Sequence, residues 1–334
     1  MACFWKNERN AVEVCEIYDG YLAVGSQTAP YITTYGYVGT TFTELIDIAP
    51  LSGVNGFGMA FSPDNTLLAA AYSGVPNLTL YAYEGTIFTL LPSIPQPDNA
   101  ISRSAMFSPD GTLLAVAHQA SPRITVYTRS GTTFTPLSAF PALAGEAWAV
   151  AFSPDSAFMA VGHSFSPFLK VYERSGTTFT PLTIGAAPAS TGRGVAFSPD
   201  GTLLAVGHVS APYLTVYERS GTTFTKLTGI SAPTSDSRSV AFSPDGALLA
   251  TGNVSAPYLT VYERSGTTFT KLTGITAPSG QGNGVAFSSD SSLLAVAHAT
   301  TPYLTVYERS GTTLTKVTGI TAPPGNGFSA AFSP

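Results

Sequence analysis

The feature that most constrains the fold is a phenylalanine that recurs at a nearly constant interval. It stands in a Phe-Ser-Pro-Asp-like stretch, and successive copies are first 46 and then 45 residues apart. The copies are Phe61, Phe107, Phe152, Phe197, Phe242, Phe287 and Phe332. A period of this size indicates structurally equivalent units that bury a core only by packing on one another.

Each repeat has the pattern of four short β-strands. In the clearest copy, strands at 239–242, 248–252, 258–262 and 268–272 are separated by a Ser-Pro-Asp-Gly turn, a loop and a hairpin with Gly at its bend. Thr, Val, Tyr and Phe dominate these segments, as is usual in strands, and a helical period is absent. Four meandering strands per repeat predict an all-β fold, a single seven-bladed β-propeller of four-stranded antiparallel blades.

The two ends of the repeat array predict how the ring closes. Residues 21–25 have the pattern of a second strand without a good first strand before it, and residues 328–332 have the pattern of a first strand without a second. We expect both in one composite blade, which leaves no open edge between blades. The alternative places 11–17 innermost and displaces the C-terminus. Residues 1–16 match the repeat poorly, so they are predicted to be an N-terminal arm, edge strand or docking segment before a propeller of residues 17–334.

The Phe-Ser-Pro-Asp-Gly-x-Leu-Leu-Ala stretch resembles the corresponding part of WD40 repeats, and the resemblance covers about residues 17–334. The third strand ends in Val-Tyr-Glu-Arg, as at 216–219, and not in Trp-Asp, and the Gly-His before the blade is absent. The hydrogen-bonded tetrad of that family is therefore not carried over. Degenerate arrays of this kind occur in bacteriophage tail and other virion proteins, which this chain resembles more than it resembles eukaryotic scaffolds.

Charge is sparse along the chain. Charged residues make up 10% and the net charge is −5, against roughly 25% charged residues in ordinary soluble domains. Without a Lys/Arg block, nucleic-acid binding is not expected, and the apolar runs are too short for a membrane span. The first ten residues lack the apolar segment of a signal peptide. Cys3 and Cys15 are expected to be free thiols, with a Cys3–Cys15 disulfide as the alternative.

The repeats disagree most at the position four residues before each recurring phenylalanine. Three arginines and three aromatic residues occur at this position, which is predicted to lie at the mouth of the central channel, on the face of the variable loops 93–102, 138–147, 185–192 and 231–237. The seven residues, called here the mouth residues, are Phe57, Arg103, Trp148, Arg193, Arg238, Asn283 and Phe328. Arginine suits carboxylate or phosphate groups, and aromatic rings stack on sugars or peptides. Two interpretations remain open: a shallow site for an acidic glycan or peptide, or aromatic residues packed between blades beside solvated arginines.

Other repeated residues are predicted to be structural. One histidine per blade follows the second strand, at His118, His163, His208 and His298, and this spacing is too wide for a shared metal ion. A tyrosine repeats in the third strand, at Tyr35, Tyr81, Tyr127, Tyr172, Tyr217, Tyr262 and Tyr307, as expected for packing. The repeated aspartates are assigned to turns, and the Glu-Arg pairs are expected to be solvated or weakly paired between blades.

We find no catalytic, cofactor or phosphate-loop motif in the sequence. The leading hypothesis is therefore a non-enzymatic phage virion structural or adhesion protein. Its variable face would bind a host-surface glycan or protein, or another virion protein, and it would reach the virion after synthesis in the host cytoplasm. The alternative is a cytoplasmic WD40-like protein-interaction scaffold. No cofactor and no metal are expected in either case.

Overall fold

Seven blades of four antiparallel strands each are formed by residues 18–45, 54–97, 101–138, 140–141 and 143–334, which the computed structural model describes. The predicted all-β, seven-bladed architecture is confirmed. Within those ranges no helix is long and apolar enough to cross a bilayer. The predicted N-terminal arm, the possible strand at 11–17 and both cysteines lie outside the described residues.

Blades 1 to 7 follow the chain, and within each blade the strands run from the channel outward. The innermost strands line the channel, and they are Gly327–Phe332 (β28), Gly56–Phe61 (β4), Ser102–Phe107 (β8), Ala147–Phe152 (β12), Gly192–Phe197 (β16), Ser237–Phe242 (β20) and Gly282–Phe287 (β24). The second strands are Gly20–Ser26 (β1), Leu67–Tyr72 (β5), Leu113–His118 (β9), Phe158–His163 (β13), Leu203–His208 (β17), Leu248–Asn253 (β21) and Leu293–His298 (β25).

The third and fourth strands complete each blade towards the rim. The third strands are Ile32–Val38 (β2), Leu78–Glu84 (β6), Ile124–Ser130 (β10), Leu169–Ser175 (β14), Leu214–Ser220 (β18), Leu259–Ser265 (β22) and Leu304–Ser310 (β26). The fourth strands are Thr41–Leu45 (β3), Ile87–Leu90 (β7), Thr133–Pro136 (β11), Thr178–Leu182 (β15), Thr223–Lys226 (β19), Thr268–Lys271 (β23) and Thr313–Lys316 (β27).

Blade 1 closes the ring with strands from both ends of the described chain. Its order is β28-β1-β2-β3, and Leu22 of β1 pairs with Phe332 of β28. Ser333 continues the contact, because the amide of Tyr21 donates to Ser333 Oγ at 3.0 Å and Ser333 N donates to Tyr21 O at 2.9 Å. The predicted composite blade is confirmed, and the C-terminal strand holds the innermost place.

The core lies between neighbouring blades. Second strands are buried on both faces, so they read as unbroken runs of small and aliphatic residues, as in β17, whose six residues are all buried. The repeated tyrosines are also buried, as predicted from their regular spacing. Several of them join two blades, because the hydroxyl donates to a carbonyl in the preceding blade's loop, as from Tyr217 to Ala186 at 2.6 Å.

A ladder of ion pairs joins the blades on the face of the Ser-Pro-Asp-Gly turns. The arginine at the end of a third strand contacts the turn aspartate of the preceding blade, as in Arg174–Asp110 at 2.7 Å. The pairs are Arg129–Asp64, Arg174–Asp110, Arg219–Asp155, Arg264–Asp200 and Arg309–Asp245. The assignment of these aspartates to turns alone was therefore incomplete. Partial burial raises the pKa of Asp110, but hydrogen bonds from Ser108, Thr112 and Arg174 outweigh it and hold that pKa at about 2.

Candidate functional site

A β-bulge in every innermost strand positions the mouth residues. In blade 5, Gly192 pairs with His208 and Gly194 pairs with Gly207, so Arg193 is the extra residue between two paired ones. The same register shift occurs in all seven blades. A bulge residue has no partner across the ladder, and bulges re-aim side chains near functional sites. The absence of a cross-strand partner explains why the repeats can differ at this position.

All seven predicted mouth residues meet around one cavity of about 430 Å³. The cavity opens on the face of the variable loops, and its wall continues inward through the two residues that follow each mouth residue. The mouth residues are half-buried. The aromatic mouth residues contact side chains of neighbouring blades, as the second interpretation states, whereas the half-buried arginines are not freely solvated. Their role in binding stays a prediction.

The mouth residues contact one another from blade to blade. The indole of Trp148 lies between two guanidinium groups, with the central carbon of Arg103 at 3.7 Å and that of Arg193 at 4.2 Å from the ring centroid. Phe57 and Phe328 pack edge to face at 4.9 Å between centroids. Cation–π contacts of this kind hold arginine side chains in place without neutralising them.

Hydrogen-bond donors concentrate on one side of the mouth. The Nε atoms of Arg103, Arg193 and Arg238 and the indole nitrogen of Trp148 are buried without a hydrogen-bond acceptor. Burial lowers the pKa of Arg103 and of Arg238, and the nearby Arg193 lowers both further. Buried donors without acceptors cost free energy unless a ligand or water satisfies them. Blades 3 to 6 thus offer a site for an anion, opposite the two phenylalanines of blades 1 and 2.

Two carboxylates lie beside the arginines of the mouth, and neither was predicted from the sequence. Glu146 and Asp236 stand two residues before mouth residues. Glu146 Oε1 accepts a hydrogen bond from Gln119 Nε2 at 2.7 Å, and its Oε2 lies 3.8 Å from Arg103 Nη2. Asp236 raises the pKa of Arg238, against the larger effect of burial, and its buried Oδ1 has no hydrogen-bond donor. Neither carboxylate is among the residues that line the cavity, but each acts on an arginine that does.

A comparison of repeats two residues upstream of the mouth would have found both carboxylates. The equivalent residues are Asn55, Ile101, Glu146, Thr191, Asp236, Gln281 and Asn326. Most are polar and only two are acidic, so the position varies as the mouth position does. The variation among repeats at this position is therefore visible in the sequence, two residues before each mouth residue.

The repeated histidines lie beside the mouth and are structural, in keeping with the prediction. The ring Nε2 of His208 is 3.0 Å from Thr215 Oγ1 in the third strand, and burial lowers the pKa of His208 to about 4. His163 differs, because Lys170 takes the place of the threonine and burial again lowers the pKa to about 4. Among the described residues, no group of three or more His, Cys, Asp or Glu side chains is arranged to hold a metal ion.

Residues 58–234 match the family described as "Lactonase, 7-bladed beta-propeller". Residues 224–256 match the family described as "WD domain, G-beta repeat", in agreement with the WD40-like pattern of the repeats. None of the curated proteins matches the chain.

Solved structures share the fold over nearly the whole chain. A candidate 6-phosphogluconolactonase of Bacteroides uniformis is similar with a TM-score of 0.79 and 15% identity, over 94% of this chain and 99% of that one. A periplasmic gluconolactonase of Pseudomonas aeruginosa is similar with a TM-score of 0.72 and 17% identity, again over 94% and 99%. At this level of identity the likeness concerns the fold alone.

Proposed function

The chain belongs to the family of seven-bladed β-propeller lactonases, and from this premise we propose that it hydrolyses an anionic lactone in the mouth cavity. The observation that carries the proposal is the set of buried arginine donors without acceptors around that cavity. A lactone that bears a phosphate or carboxylate group supplies the missing acceptors. Opening of the ring adds a further anionic group, a carboxylate, to the same molecule.

Family membership corrects the functional hypothesis drawn from the sequence. A non-enzymatic phage virion or adhesion protein is contradicted, as is the alternative of a non-catalytic WD40-like scaffold. The functional hypothesis was wrong because the repeated motif determines the structure of the blade and carries no information on the chemistry of the cavity. The virion location and the virion or host partners were derived from that hypothesis, and they stay predictions.

A phosphorylated aldonolactone such as 6-phosphogluconolactone is the substrate that we propose. Two structural neighbours bear names that refer to this reaction class. Arg193 and Arg238 stand on adjacent blades and each offers a planar set of donors, which suits a phosphate group. The cavity of about 430 Å³ lies within the usual range for small-molecule sites.

Glu146 is the general base in this proposal. Gln119 holds Oε1 of its carboxylate, and Oε2 lies 3.8 Å from Nη2 of Arg103, which lines the cavity. A base that a third group orients is the arrangement that activated nucleophiles require. Glu146 takes one proton from water, and the water oxygen forms a bond to the lactone carbonyl carbon.

Arg103 stabilises the negative charge that then develops on the carbonyl oxygen. Its guanidinium is fixed in advance by stacking on Trp148 at 3.7 Å, so it need not reorganise during the reaction. The bond between the carbonyl carbon and the ring oxygen breaks, and the ring oxygen leaves as an alcohol with the proton from Glu146. The product is an open-chain hydroxy acid, which releases its proton to solvent near neutral pH.

The test is hydrolysis of 6-phosphogluconolactone by the purified full chain, followed by proton release and compared with the uncatalysed rate. We expect Glu146→Gln to lower kcat by about 10²–10⁴-fold, as for loss of a general base. Asp236→Asn is the matched control and should leave kcat within a few-fold. Full activity in Glu146→Gln would exclude Glu146 as the base, and a wild-type rate no faster than the uncatalysed one would refute lactonase activity on this substrate.

A further inference from the structure

One channel position breaks an otherwise uniform set. Three residues after each mouth residue, six blades carry alanine and blade 3 carries Met106. The alanines are Ala60, Ala151, Ala196, Ala241, Ala286 and Ala331. Because the seven positions are equivalent in the blade, the alanines show what the scaffold itself requires there.

Met106 forms the floor of the mouth cavity. Three successive layers of the innermost strands line the cavity, namely the mouth residues and the two residues that follow each of them. The next residue of each innermost strand forms a fourth layer. Among the described residues of that layer, Met106 lines the cavity and the alanines do not. Its longer side chain reaches the cavity from a depth at which the alanines of the other blades do not.

Packing gives no reason for a methionine at this position. Met106 is 38% exposed, whereas its neighbours in β8, Ala105 and Phe107, are 3% and 4% exposed. It belongs to none of the hydrophobic clusters formed by the described residues. A large apolar side chain that stays partly exposed at the cavity gains little from folding, and it is available to contact a ligand that enters the channel.

We propose that Met106 is the specificity-determining residue of the cavity and limits the length of the ligand held by the mouth arginines. The proposal rests on the proposed function in one respect, the binding of an anionic group at Arg193 and Arg238, which stand at the same level of the channel as Arg103. Met106 follows Arg103 by three residues on the same strand, which places it about 10 Å further along the channel. A ligand anchored by its anion can therefore extend about 10 Å before its far end meets the thioether.

The probe is a series of n-alkyl phosphates of increasing chain length, because each has one anionic anchor and one apolar tail. Their dissociation constants are measured by titration calorimetry on the full-length protein. In the wild type we expect affinity to rise about fourfold per methylene until the tail reaches Met106, and then to stop rising. In Met106→Ala the rise continues to longer tails.

Two further variants distinguish a specific effect on the length limit from a general loss of structure in Met106→Ala. Met106→Leu keeps a long apolar side chain and should keep the wild-type length limit. Ala286 stands at the equivalent position on the far side of the channel and is in no hydrophobic cluster of the described residues. The double variant Met106→Ala/Ala286→Met should restore a length limit from the opposite wall.

Each outcome bears on the proposal separately from lactonase activity. A shift of the length limit in Met106→Ala and its return in the double variant support the proposal, whether or not a lactone is hydrolysed. An unchanged length limit in Met106→Ala overturns it, even if 6-phosphogluconolactone is hydrolysed at the wild-type rate. Failure of the wild type to bind any alkyl phosphate removes the anchor and overturns it as well.

Discussion

Removal of the C-terminal strand is expected to destabilise the whole propeller, although the strand is only a small part of the chain. Deletion of residues 327–334 takes β28 out of blade 1 and leaves the inner edge of β1 unpaired. The lost strand also carries Phe328, which packs on Phe57. The loss therefore opens the channel at the mouth and exposes the sides of two neighbouring blades.

The size of the effect follows from the pairing of β28 with β1. The two strands pair at five positions between Leu22 and Ser26, and Ser333 adds two hydrogen bonds to Tyr21. At about 1 kcal/mol net for each hydrogen bond, the loss is about 5–7 kcal/mol. That is a large share of the roughly 5–15 kcal/mol by which a native protein is stable. At about 2 °C for each kcal/mol, the melting temperature should fall by about 10–15 °C.

The assay is thermal unfolding of the truncated chain with and without a synthetic peptide of residues 327–334. We expect the peptide to raise the melting temperature with the logarithm of its concentration once that exceeds the dissociation constant, because it binds only the folded chain. Ser333→Ala is the smaller control and should cost about 1–3 kcal/mol, as should Ser198→Ala in an unbroken blade, since each leaves one buried amide unpaired. A truncated chain that melts within a few degrees of the full chain, or that ignores the peptide, would refute the reasoning.

Two further predictions concern pH. His208 binds a proton at about pH 6.5 when unfolded but only at about pH 4 when folded, so the unfolded state holds more protons in this window and stability falls as pH falls through it. His208→Asn places in blade 5 the residue that blade 6 has at Asn253. In chemical denaturation, this variant should lose up to about 3 kcal/mol less of its free energy of unfolding than the wild type between neutral pH and pH 4. An equal loss in both proteins would contradict the prediction. Asp110→Asn breaks the contact with Arg174 and should lower the free energy of unfolding at pH 7 by at most about 1 kcal/mol. The difference should narrow as pH falls from about 4 towards 2, where the wild-type carboxyl itself takes up a proton, and a difference that grows on acidification would count against the assignment.

The fold could be predicted from the sequence because the same pattern of strands and turns recurs in each repeat. The recurring Phe-Ser-Pro-Asp stretch fixed the number of blades, and the incomplete first and last copies fixed the closure. The contact of Arg174 with Asp110 could not be predicted in the same way, because it depends on how far one blade is rotated against the next. The sequence of a single repeat does not reveal that the partner of its arginine or aspartate lies in a neighbouring repeat.

The candidate site was predictable only in part. The mouth residues were found because the repeats disagree there, but the bulge that aims them depends on strand register, which composition does not reveal. Glu146 was missed because an acidic residue in only two of the seven repeats looks like loop variation, and its approach to Arg103 depends on how two blades pack. The enzymatic class was missed for a related reason, since lactonases share their blade pattern with non-catalytic propellers.

At the seven bulges, the chemistry of a side chain can change with little effect on the stability of the blade. Elsewhere in a blade, a new side chain has to suit the residue opposite and the blade beside it, so chemistry and stability change at once. A bulge residue has no residue opposite, and its side chain lies half-buried beside other mouth residues at the rim of the cavity. The ring at the channel mouth can therefore acquire a charge, an aromatic ring or an amide one blade at a time, and redesign of the ligand preference of this scaffold should begin at those seven positions.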